Sequence, residues 1–177
     1  MIISPCANCN IKCCTKFFVP LTIFDVKRIK QKINKNIVKF GELIDYKTLN
    51  QNFFNSIFFL KDNRLEEKIL VLKRIKNSCI FFSDEGICKI WAHHPISCKC
   101  YPFYDFDKKT KKLKYVKNFI CPRKWREEEK KSFDFIGAIE KLREEILEHN
   151  KLIREWNALH CKKNEEEFFL WLEQLKI

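Results

Sequence analysis

The alternation of apolar and polar positions changes character three times along the chain. From Thr22, apolar residues recur at helical spacing (Val26, Ile29, Ile33, Ile37), and Asp25 three residues after Thr22 completes a capping-box start. This predicts a helix that ends at Gly41. Residues 42–60 are aromatic-rich without a clear period, with Phe53, Phe54 and the run 57–60 expected inside. From Lys68 to Trp91 the apolar runs 69–72, 79–82 and 87–91 are strand-like, the last two joined by a turn at Ser83-Asp84-Glu85-Gly86.

His94-Pro95 and Tyr101-Pro102 then take the chain out of the sheet, because proline restricts the residue before it and removes a backbone donor. A lysine-tipped hairpin follows, 101–107 with 113–119, and leads to Cys121-Pro122. Beyond it, Phe135, Ile139, Leu142, Ile146, Ile153 and Trp156 form a helical stripe with charges on the other faces. Asn164 with Glu167 caps a last helix carrying Phe168, Leu170, Trp171 and Leu172. The expected fold is α+β: a small cysteine-rich core with hairpins and an N-terminal helix over 1–121, and a C-terminal helical pair over 122–177. No internal repeat is present.

Composition narrows the chemistry. The 177 residues are 46% hydrophobic and 14% aromatic, enough for one compact domain or a domain with a helical appendage. Only Gly41, Gly86 and Gly137 occur, which excludes the clustered glycines of P-loops, dinucleotide-binding turns and kinase loops. There is no GxSxG elbow, and His93, His94, His149 and His160 form no HExxH helix. Against this poverty stand ten cysteines, far more than a core of this size uses as small hydrophobes.

The N-terminus has no positive n-region or apolar h-region, and no run of about 18 apolar residues is present to span a bilayer. The expected location is cytoplasmic, with no membrane partner. In a reducing cytosol, grouped thiols bind metal or do redox chemistry more often than they form disulfides. The Lys-, Ile- and Glu-rich composition would also suit a thermophile, where cytosolic disulfides are tolerated.

The net charge of +12 is unevenly placed: residues 1–121 hold 23 Lys+Arg against 10 Asp+Glu, and residues 122–177 hold 12 against 13. Eight metal-bound thiolates with two divalent ions would lower the total to roughly +8. The rest reads as a solvated lysine run, Lys108-Lys109-Thr110-Lys111-Lys112, with nucleic acid the less favoured explanation.

Cys6-x2-Cys9 is a metal-knuckle spacing, in which a two-residue gap lets both sulfurs reach one ion. Cys13 and Cys14 follow, and because neighbouring side chains diverge, one is expected to ligate here and the other to face a second site. Cys79, Cys88, Cys98 and Cys121 complete a set of eight. Eight thiolates supply two tetrahedral sites, or one four-cysteine iron-sulfur cluster with a further metal site. A thioredoxin-like pair would need a strand before it and a helix after it, which residues 5–14 lack. Cys100 and Cys161 are surplus, with Cys161 read as an inert thiol.

These motifs resemble the YkgJ-type cysteine-cluster family of zinc- or iron-chelating domains. The resemblance rests on Cys6-x2-Cys9-x3-Cys13-Cys14, on Cys79 and Cys88 with Ile90-Trp91, on Pro95-Ile96-Ser97-Cys98 with Tyr101-Pro102-Phe103, and on Cys121. It spans residues 6–121 and implies the same eight ligands. The chain departs from the family in one extra residue before the Cys13-Cys14 pair, and in His94-Pro95 and Cys98-Lys99 where arginines are usual. His94 before proline is read as a surface or capping residue rather than a ligand.

The resulting expectation is a metal-stabilised protein binding zinc or iron, with a [4Fe-4S] cluster among the forms it would take. Two alternatives accompany it. Resemblance to the flagellin lysine N-methylase implies an iron-sulfur-dependent protein-modifying or redox enzyme, although no acid-base pair stands out beside the cysteines. The lysine-rich hairpin would instead suit a basic nucleic-acid-binding module. The C-terminal helices offer a surface for a protein partner, or pack on the core.

Overall fold

The computed structural model describes residues 6, 9, 11, 13–49, 54–61, 64–159 and 164–175. Helix α1 (Ile23–Ile33) starts as its sequence requires: Thr22 Oγ1 accepts from Asp25 N at 3.0 Å, and the Asp25 carboxylate accepts from Thr22 N at 2.9 Å. It stops well before Gly41. Asn34 takes the left-handed conformation (φ 50°) and its N–H returns to Lys30 O at 2.8 Å, closing the helix. Ile37 therefore lies in a separate 3-10 turn (Ile37–Lys39), and Gly41 opens a strand.

Strands β1 (Gly41–Asp45), β2 (Ile57–Lys61) and β3 (Arg64–Leu72) form an antiparallel sheet in the order β1-β3-β2. Gly41 faces Leu72 and Ile57 faces Lys68 in register. The unbroken apolar run at the end of β3 is buried on both faces. Leu70 and Leu72 enter the main core, while Ile69 and Val71 pack with Phe54 on the other side. Phe54, Ile57 and Phe59 are buried as expected, and Phe53 lies outside the described residues.

Strands β4 (Arg74–Ile75) and β5 (Ser78–Cys79) make a tight hairpin through Lys76-Asn77, both at positive φ (48° and 63°). The two strands expected over 79–91 are reduced to one bridge, Phe82 to Cys88, around the Ser83–Gly86 turn. Lys89 N bonds Phe81 O and Ser83 N bonds Ile87 O across the turn, while Phe82 N to Cys79 O and Trp91 N to Cys88 O bond locally and cut the ladder short. Gly86 sits at φ 77° in that turn, a conformation that favours glycine.

A short helix that periodicity does not announce, α2 (Ile96–Cys100), lies between the two prolines. The expected hairpin follows as β6 (Phe103–Phe106) and β7 (Leu113–Tyr115). Helix α3 (Glu127–Ser132) precedes the C-terminal pair, α4 (Phe135–Ala158) and α5 (Glu165–Gln174). The α5 capping box forms, with Asn164 Oδ1 accepting from Glu167 N at 2.8 Å.

The main core joins Leu21, Ile29, Phe40, Ile57 and Leu70 to Ile153 and Trp156 of α4 and Phe168 of α5. Trp156 meets Phe168 edge-on at 5.2 Å. Burial of each such side chain contributes about 1.5–3 kcal/mol. A second cluster gathers Ile96 and Cys100 with Phe103, Phe106, Phe135 and Ile139. Among the described residues, no helix is long and apolar enough to cross a membrane.

Candidate metal centre

The cysteines are placed by different elements of the fold. Cys13 and Cys14 sit in a 3-10 turn (Cys13–Thr15), closed by Lys16 N and Phe17 N on Cys13 O at 2.9 and 3.1 Å. Arg74 fastens this segment down. Its guanidinium donates to Phe17 O at 2.5 Å, to Thr15 O at 3.0 Å and to Asn77 O, joining the N-terminal loop to the hairpin. Cys79 stands opposite Arg74 in that hairpin, and Cys88 occupies the bridge to Phe82.

Cys98 is carried by α2, and a buried polar network fixes that helix. Asp25, 1% exposed, accepts from Ile96 N at 2.8 Å at the start of α2 while still capping α1. Thr22 Oγ1 lies 3.0 Å from both the Asp25 carboxylate and that of Glu145 on α4, sharing its one proton between them. Arg28 pairs with both carboxylates. Desolvation pushes the Asp25 carboxyl up, and the Arg28 guanidinium opposes that shift. One side chain therefore sets the starts of two helices.

Thiol electrostatics show which cysteines meet. Desolvation holds Cys98 well above the ordinary thiol value, and the neighbouring thiols of Cys79, Cys13 and Cys88 add to it. Cys88 is raised by burial and then by Cys6 and Cys13. Burial pushes Cys79 up to about 11, with Cys88 contributing and Arg74 opposing. Cys13 is raised first by its hydrogen bond with Cys14, then by burial. Cys13, Cys79 and Cys88 thus each act on Cys98, and Cys6 acts on Cys88.

The remaining members of the eight are at the margin. Cys9 Sγ donates to Ile11 O at 2.9 Å, and Cys9 N bonds Cys6 O at 3.1 Å. Cys14 packs against the main core. Cys121 and Cys13 both raise the Tyr101 hydroxyl, which is shifted chiefly by desolvation and accepts from Ile120 N at 2.9 Å. Among the described residues, no three Cys, His, Asp or Glu side chains are closed into a group that could hold an ion. The nine described cysteines carry thiols and no disulfide.

Thiol donors of this kind suit zinc or iron. Several thiols share a region in which each opposes ionisation of the next, and a cation among them reverses that sign. Cys100 does not belong to the set: it is 2% exposed in the second core, and burial pushes its thiol up to about 12. His94 caps the 3-10 turn Trp91–His93, stacked on Trp91 at 4.5 Å and bonded through Nδ1 to Trp91 O. Burial lowers its pKa to about 4. Cys161 and His160 lie outside the described residues.

The sequence identified Asp25 only as a helix cap and missed Arg28, Glu145 and Arg74. Their roles depend on partners far away in the chain, Glu145 lying 117 residues from Arg28.

The fold is a small α+β domain whose cysteines lie on several separate segments. A family model, CxxCxxCC, described as "Putative zinc- or iron-chelating domain", matches residues 5–122. The chain belongs to this family. No curated protein and no solved structure matches it.

Proposed function

We propose that the protein binds zinc or iron through Cys6, Cys9, Cys13, Cys14, Cys79, Cys88, Cys98 and Cys121, in one or two thiolate sites. The observation that carries this reading is the match of residues 5–122 to a zinc- or iron-chelating family model, supported by Arg74, which holds the Cys13–Thr15 turn against the hairpin that carries Cys79. Binding displaces thiol protons and replaces mutual repulsion with attraction to a common cation. Cys9, Cys14 and Cys121 complete the set of eight cysteines within the matched family segment. The bound metal ties the N-terminal loop to β5 and α2, so residues 1–121 act as the metal-binding part and 122–177 as its helical support.

Folding linkage tests the proposal. Structural thiolate sites contribute on the order of 10 kcal/mol, so a strong chelator under reducing conditions should melt the cysteine-bearing part at a much lower temperature. Unchanged melting after complete metal removal would contradict it.

A further inference from the structure

The hairpin β6–β7 and the segment leading to Cys121 carry a concentration of positive charge. Residues 101–124 hold eight Lys and Arg against two Asp, Asp105 and Asp107. Lys114 pairs with Asp105 at 2.9 Å, and the Lys111 ammonium lies over the Phe106 ring at 5.2 Å. Lys108, Lys109, Lys112 and Lys117 are exposed and enter no ion pair among the described residues.

Three exposed aromatic rings lie on the same segment of chain. Tyr115 and Phe119 stack at 4.5 Å and 25°, yet are 38% and 42% exposed. Tyr115 is braced from behind by Phe103, with ring centroids 4.6 Å apart. Tyr104, 48% exposed, falls at the register shift between Phe103 and Asp105, where an extra residue re-aims a side chain. The rings are held firmly enough to act as a platform and open enough to be reached.

We propose that this hairpin binds single-stranded nucleic acid, with phosphates on Lys108, Lys109, Lys112 and Lys117 and a base on the Tyr115–Phe119 stack. Paired cationic and aromatic surfaces are what a single strand recognises, because its phosphates need charge and its unstacked bases need a ring face. An acidic peptide would satisfy the lysines and leave the rings unused. In a duplex the base faces are already stacked and hidden.

The test is fluorescence anisotropy with the full chain and labelled 20-nucleotide uridine or deoxythymidine oligomers, across a salt series. Four phosphate contacts predict a log–log salt slope that the quadruple variant Lys108→Ala, Lys109→Ala, Lys112→Ala, Lys117→Ala reduces by roughly 2.8. Phe119→Ala should weaken binding about tenfold by removing a stacking surface. Tyr104→Ala tests the bulge ring, and circular dichroism verifies that each variant remains folded. Absence of binding at low salt overturns the proposal. So does binding of heparin or duplex DNA as tight as that of the single strand, or affinity for the single strand unchanged by Phe119→Ala.

Discussion

Replacing Asp25 by Ala strips acceptors from two helix starts at once. Thr22 N and Ile96 N, both bonded to the Asp25 carboxylate, lose their partner in a site without room for bulk water. An orphaned buried donor costs about 1–3 kcal/mol, so the two together should destabilise the protein by about 2–6 kcal/mol. Arg28 keeps Glu145 as its counter-charge through two bonds, which holds the cost below that of an isolated buried cation. Urea unfolding measures this, and a midpoint equivalent to less than about 0.5 kcal/mol of change, the range of ordinary surface substitutions, would refute the account. A second readout separates positioning from general weakening. Asp25→Ala should alter the thiolate-to-cobalt absorption of the cobalt-loaded protein, because Cys98 rides on α2. Glu145→Ala removes bonds to Thr22 and Arg28 but leaves Asp25 on Ile96 N, so it should destabilise while preserving that spectrum.

Cys98→Ser should lower metal stoichiometry or affinity, whereas Cys100→Ser, two residues away in the second core, should leave both unchanged in elemental analysis. Arg74→Lys keeps the charge but not the fork that holds Phe17 O and Thr15 O, so metal uptake, followed by cobalt absorbance, should weaken while helical dichroism persists. His149 is 2% exposed and burial depresses its pKa to about 3, so the unfolded chain binds the extra proton below about pH 6.5. Stability from neutral His149 is therefore complete above that value and is lost as pH falls toward 3. His149→Leu should reduce the pH slope of the unfolding free energy between pH 6 and 4 by about one proton, and an unchanged slope would contradict the assignment.

Features encoded within four residues were legible in the sequence. The Thr22–Asp25 and Asn164–Glu167 boxes place the starts of α1 and α5 because both partners lie on one helical turn. The end of α1 was not, since Asn34 terminates it through a left-handed conformation that apolar periodicity ignores. Helix α2 has five residues between prolines, too few to show a period. The motif Pro95-Ile96-Ser97-Cys98 singles out Cys98 over Cys100, and the helix supplies the physical reason. With it, two residues correspond to about 200° of rotation, which sends one thiol to the cysteines and the other to the second core. The Asp25–Arg28–Glu145 network was invisible for a different reason, because its members meet only after α1 and α4 pack together.

X-ray absorption at the zinc and iron edges, on protein purified anaerobically from its native host, tests thiolate ligation most directly. The account predicts stoichiometric zinc or iron with a sulfur shell, at about 2.3 Å for zinc. A first shell of nitrogen and oxygen alone, or protein that folds with no bound metal, would contradict it.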